Sequence, residues 1–257
     1  MKVLPNPDFP QFFRSAAKIS AAWMNRIHSL IAIVDTERLN ELAAWPQGDR
    51  ILDSVRKAKL KPGGHTLVIL PGPRPLLVCI GLMPANGEAY RTLTLAAKLV
   101  KGIAPHRPEA VGTVAIVNER NADTVTDALV AALLTATEAQ PSAKTNAAKP
   151  WSLRSVHLCG RLPGTTMAQH RGAHLARWLT QLPANVLNPG SYRRAANRLA
   201  QDYGWQADTY DEKRLRRLGA GAFLAVTAAS ARRDGAIVRS EEHTSELQSH
   251  SFISYAV

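Results

Sequence analysis

Short apolar runs and helical patterns alternate along the first two thirds of the chain. Leu30–Val34, Thr66–Leu70, Leu76–Gly81, Val111–Val117 and Ser155–Cys159 are short, rich in β-branched residues and bounded by Gly, Pro or Asn. Such runs predict buried strands. Pro71–Pro75, reading PGPRP, predicts a turn that joins two of them as a hairpin. Tyr90–Ile103 carries Leu93, Ala96, Ala97, Val100 and Ile103 at helical spacing, and Asp123–Thr137 does the same with Val125, Leu129, Ala132 and Leu133. Strands alternating with helices predict an α/β fold, a mixed or parallel sheet covered on its faces.

The pattern then changes. Glu138–Pro150 has no periodic apolar face and reads as an exposed insertion. A helix predicted from Met167 to Leu182 places Leu175, Trp178, Leu179 and Leu182 on one face and stops at Pro183. Ser191–Tyr203 sets Tyr192, Ala195, Ala196, Leu199, Ala200 and Tyr203 opposite Arg193, Arg194, Asn197, Arg198 and Gln201, with Gly204 as the left-handed stop. Trp205–Tyr210 predicts a short strand, and Asp211 a cap for the helix that begins at Glu212.

Composition places the 257 residues among globular proteins: 46% are hydrophobic and 20% charged. No run approaches the roughly 18 to 20 apolar residues that cross a bilayer, and the N-terminal MKVLPNPDFPQFF lacks the charged and apolar regions of a signal peptide. Cys79 and Cys159 sit inside apolar runs and read as small buried hydrophobes of a reducing compartment, so the expected place is the cytoplasm. The net charge of +12 could draw nucleic acid. Its cations, however, lie along helix faces: Arg193, Arg194 and Arg198 on one, Lys213, Arg214, Arg216 and Arg217 on the next. No aromatic residues interleave with them for base stacking, which favours solvated faces and leaves DNA as a weakly supported partner.

Residues Arg239–Val257 read as something other than native sequence. RSEEHTSELQS and the final ISYAV both match the frame translation of a sequencing-library adapter, and His250–Phe252 between them span a gap of sample-index length. The segment is expected to be adapter-derived and is set aside from the fold prediction. It holds one Arg and three Glu, so the remainder carries +14.

Ala176–Ser230 resembles the opening of the catalytic domain of the leucyl aminopeptidase family of metallopeptidases, M17. There a helix ends in an N-x-P-x-N-x-x-x-P loop. This chain has Gln181 at the first asparagine, while Pro183, Asn185, Val186, Leu187 and Pro189 fit the rest, and Gly219–Gly221 falls at the family's glycine pair. The resemblance implies residues 1–166 as an N-terminal macro-like α/β domain and 167–238 as a linker helix and the start of a truncated catalytic domain. It further implies a cytosolic exopeptidase that assembles as a homohexamer. Two divalent cations, manganese or zinc, activate a water that attacks the first peptide bond of a peptide substrate. The family's metal ligands lie in a G-K-G-x-x-x-D-x-G-G stretch, a later aspartate and an N-T-D-A-E-G-R segment, none of which occurs here. Catalytic and metal residues are therefore expected to be none, the substrate-binding residues stay unknown, and the chain itself is expected to be inactive. With its catalytic sheet incomplete, the part after Met167 is expected to be less well anchored than the part before it.

Other candidates read as structural. His170 and His174 have the i, i+4 spacing of helical metal ligands, but HRGAH lacks the central Glu of H-E-x-x-H, and an exposed pair on a helix is expected. Asp208, Asp211 and Glu212 fit a strand end and a helix cap, Ser230 lacks a G-x-S-x-G setting, and Gly219–Gly221 is too short for a phosphate loop. Pro183–Pro189 reads as a rigid turn. The rival functions are a nucleotide- or nucleic-acid-binding module and a non-catalytic subunit of an aminopeptidase assembly.

Overall fold

A computed structural model describes residues 2–5, 9–15, 19–84, 87–144, 149–230 and 233–241. The chain divides into two compact units. One comprises Asn6–Gln140 and Lys144–His174, the other Leu175–Val257 with Met1–Pro5 and Pro141–Ala143.

The first unit is built on six strands: β1 (Gln11–Ser15), β2 (Ser29–Val34), β3 (His65–Leu70), β4 (Leu76–Leu82), β5 (Ala110–Ile116) and β6 (Ser155–Cys159). Their order is β1-β6-β5-β2-β4-β3, parallel throughout except for β3, which runs antiparallel to β4. The PGPRP turn makes the expected hairpin, with Leu70 opposite Leu76. The central strands are apolar on both faces because each face has its own cover. On one side Ile31, Ile33, Cys79, Val111 and Val156 pack with Leu99, Ile103, Leu129 and Leu133 of α3 (Ala89–Ile103) and α4 (Glu119–Thr137). On the other, Leu30, Ala32, Val78 and Ile80 pack with Trp23 of α1 (Ala21–Met24) and with Ile51 and Val55 of α2 (Gly48–Lys57). A 3₁₀ stretch, Thr36–Ala44, leads from β2 toward α2.

Helix α5 (Thr166–Thr180) contains the division between the units. The second unit continues with α6 (Pro189–Tyr203), β7 (Gln206–Asp211), α7 (Glu212–Arg217), α8 (Gly221–Ala228) and β8 (Ala236–Glu241). β7 and β8 form an antiparallel pair whose register takes in Arg239, Ser240 and Glu241 opposite Asp208, Ala207 and Gln206. The strand thus runs three residues beyond Val238, into the segment set apart above. Those three side chains are exposed, and the backbone ladder needs nothing apolar from them. The rest of that segment, 242–257, lies outside the described residues.

Candidate functional site

The part that carries the family-like motifs begins at the turn before α6. Val186 and Leu187 both donate to the carbonyl of Pro183, at 2.8 and 2.9 Å. Asn188 then caps α6: its Oδ1 accepts from the Ser191 amide at 3.0 Å, while Ser191 Oγ accepts from the Asn188 amide at 2.9 Å. Two otherwise orphaned donors are satisfied reciprocally, and Pro189 at the first helical position has no donor to lose. Ser191 Oγ also donates to the Val186 carbonyl at 2.7 Å, so one hydroxyl ties the turn to the helix. Gly190 donates to Asp234 Oδ2 at 3.1 Å. Gly204 ends α6 at φ 72°, and Gly219 turns the chain at φ 72° before α8.

A pair of divalent cations needs several hard oxygen ligands facing one point. The described carboxylates of the second unit are engaged elsewhere. Asp202 pairs with Arg198 at 3.0 Å, Asp208 with Arg214 at 2.7 Å and Glu212 with Arg233 at 3.3 Å. Asp211 caps α7 through the Arg214 amide at 2.8 Å, Asp234 accepts from Gly190, and Glu241 pairs with Arg239. The Arg214 guanidinium holds the Asp208 carboxyl below its usual range. Among the described residues no group of three His, Cys, Asp or Glu side chains is placed to hold a metal ion. The described residues do not fit a two-metal centre.

His170 and His174 overturn one expectation. They are not exposed: their side chains are 3% and 6% accessible, and both face Glu138, itself 7% accessible. His170 Nε2 lies against Glu138 Oε1, and His174 Nδ1 is 3.5 Å from the same oxygen. Glu138 is therefore not part of an exposed insertion; it is the C-cap residue of α4. The physical reason is that the first half of α5 packs through a polar stripe. Thr166, His170 and His174, each four residues apart, are its buried positions. Thr166 Oγ1 donates to Asp127 Oδ1 of α4 at 2.5 Å, and Asp127 and Glu138, eleven residues or about three turns apart, lie on one side of that helix. Phe9 closes over His170 edge to face, with ring centroids 6.0 Å apart. A search for apolar spacing misses such a stripe; the matched offsets of carboxylates on one helix and hydrogen-bonding side chains on the other are its only sequence signal.

The basic faces also differ from expectation, because aromatic residues do accompany them. The Arg214 guanidinium sits 3.8 Å from the centroid of the Tyr210 ring, and Tyr203 stacks on Trp205 at 5.2 Å, both rings exposed. The interleaving was hidden because Tyr203 ends α6 and Tyr210 lies on β7, apart in sequence from the contiguous cations. In the first unit, hydrogen bonds carry the sheet past the carboxyl ends of the parallel strands, the end where a nucleotide enters many α/β sheets. Asp35 donates its amide to Ile116 O at 2.7 Å, Met83 donates to Val34 O at 2.8 Å, and Arg38 donates to Val117 O.

Residues 174–253 match the model of the cytosol aminopeptidase family, catalytic domain. The probable cytosol aminopeptidase of Microcystis aeruginosa is 27% identical over 198 residues, which cover 75% of this chain and 40% of that protein. That of Stutzerimonas stutzeri is 47% identical over 60 residues, 23% of this chain and 12% of that protein. This chain thus spans less than half the length of these relatives. Among solved structures, a tomato leucine aminopeptidase mutant superposes with a TM-score of 0.69 at 16% identity, covering 95% of this chain and 53% of that one. The bottromycin maturation enzyme BotP in complex with Mn does so with a TM-score of 0.59 at 20% identity, covering 83% and 44%. These two likenesses establish the fold.

Proposed function

We propose that this chain belongs to the cytosol aminopeptidase family, M17, and that the whole protein is a metal-dependent leucyl aminopeptidase that releases N-terminal residues from peptides. The observation that carries the reading is the family match over residues 174–253, which coincides with the turn, cap and helix–strand–helix order built from Pro183 onward. Two cations, manganese or zinc, a homohexameric assembly and a cytosolic location come with it. Among the described residues no helix is long and apolar enough to cross a membrane.

The chain in hand is proposed to be inactive. The described carboxylates of its second unit are engaged in caps and ion pairs, and no step of hydrolysis is assigned to any of its residues. The test is a leucine-anilide assay of the 257-residue chain, purified free of host peptidases and supplied with manganese. Measurable leucine release would overturn the inactivity. The longer reading frame from the same locus should hydrolyse the substrate and lose that activity to a chelator. Chelator-insensitive hydrolysis, or none at all, would overturn the family reading instead.

A further inference from the structure

The first unit has a cleft of about 460 Å³ at the amino ends of β2 and β4, opposite the end where ligands usually enter such sheets. We propose that it binds a small monocarboxylate with a branched or ring-shaped apolar body.

The volume lies within the range of small-molecule sites. The walls are apolar: Met24, Ile27, Leu70 and Leu76, with prolines at 46 and 73. Among the described residues that line the cleft none is acidic, and Arg74 is the one cation. That guanidinium is held from behind: its Nη2 donates to the carbonyls of Asn25 at 2.8 Å and Ile27 at 2.9 Å. Nη1 and Nε have no protein acceptor among the described residues and remain available as charged donors. The opposite rim is fixed as well. Gln47 stands in the left-handed region at φ 58°, an unfavourable conformation for a residue with a side chain, and its Nε2 donates to Pro71 O at 3.0 Å. Both sides of the turn are therefore braced before anything binds, which lowers the ordering cost of binding.

The charge count selects the ligand. Burial, and then the Arg74 charge, hold the neighbouring His28 imidazole below its ordinary range against the pull of Glu109, so His28 adds no second cation at neutral pH. One fixed cation beside apolar walls suits a monoanion with a hydrocarbon body, whereas a phosphate dianion calls for more donors than the cleft supplies.

The experiment follows methyl NMR of Met24 in the full chain during titration with 4-methylpentanoate, its neutral amide, and inorganic phosphate. The acid should give a saturable shift and the amide should bind at least about tenfold more weakly, since a charged hydrogen bond is lost. Phosphate should give no saturable shift. Arg74→Gln should erase the preference for acid over amide. Because that change also removes two braces, Gly72→Trp serves as the second variant: a Cβ at Gly72 meets only Arg74 O, at 3.6 Å, so the ring can fill the cleft while Arg74 keeps its anchors. It should abolish binding of both probes. Equal affinity for acid and amide, phosphate binding as tight as the acid, undiminished binding in Gly72→Trp, or no saturable shift with the acid each overturns the proposal. None of these readouts depends on peptidase activity.

Discussion

Replacing Glu138 with leucine separates two views of residues 138–174. If Glu138 and the two histidines were exposed, the substitution would sit within about 0.5 kcal/mol of neutral, as surface changes do. In the structure the carboxylate is almost wholly buried between His170 Nε2 and His174 Nδ1. Leucine keeps most of the volume but takes away the acceptor that both imidazoles face. A buried polar group left unmet costs about 1–3 kcal/mol, so taking away the oxygen that His170 Nε2 faces should destabilise the first unit by up to about 3 kcal/mol. For a domain of this size class that corresponds to a melting temperature lower by roughly 6–12 °C.

The assay is urea unfolding followed through the buried indole of Trp151, which is anchored in the same unit by a 2.8 Å hydrogen bond to Pro108 O. A second arm strengthens it. His170→Phe leaves the carboxylate buried with only one imidazole facing it, an arrangement that also costs several kcal/mol. The double variant removes charge and partner together, so its loss should fall short of the sum of the singles by more than about 1 kcal/mol. A single-variant loss below about 0.5 kcal/mol, or strict additivity in the cycle, would refute the buried-cluster account.

Asn188→Ala removes one half of the reciprocal cap on α6 and should cost about 1 kcal/mol, read as faster hydrogen exchange in the first turn of that helix; unchanged exchange would contradict the capping role. Burial pushes the Cys79 thiol up to about 12, and raises that of the half-buried Cys159 as well. A thiol-specific disulfide reagent should therefore modify Cys159 first and reach Cys79 only on unfolding; equal native rates would refute this. Burial, and then Arg26, hold the His157 imidazole below 6.5. The unfolded imidazole takes up its proton first as pH falls, so this group's contribution is complete above 6.5 and is lost below it, through the lowered folded value. His157→Gln should flatten that part of the stability profile, and an unaltered slope would count against it.

Most of the sheet was legible because β2, β4, β5 and β6 are buried on both faces. Val78, Cys79 and Ile80 form a continuous apolar run that only a covered strand needs, and such runs account for β2, β4, β5 and β6; Thr66–Leu70, expected to be buried, gives β3 with Leu67 and Ile69 exposed on one face. β1 was not legible. QFFRS is short and polar at both ends, and it becomes a strand by pairing in parallel with β6, with the exposed Phe13 stacked on His157. α2 was missed for another reason: it starts from a left-handed Gln47 with no side-chain cap, so its entry lacks the usual signal although Ile51, Leu52 and Val55 have helical spacing. The polar stripe of α5 escaped because hydrophobic periodicity is blind to helices that dock through hydrogen bonds and ion pairs.

The same distinction explains why the resemblance could be read from Pro183 onward while chemistry could not. Pro189 begins α6, Asn188 and Ser191 cap it, and Gly219 turns the chain at a positive φ. Each satisfies a requirement of the backbone, and each is spent in doing so: Asn188 Oδ1 is committed to the Ser191 amide, and Asp234 to that of Gly190. An oxygen that completes a cap keeps further lone pairs, but the turn it holds fixes where they point. The motif residues of this part therefore serve the backbone. Every described carboxylate of this unit already has a duty in a cap or an ion pair, so adding metal to the chain alone should leave its fold and its thermal stability unchanged.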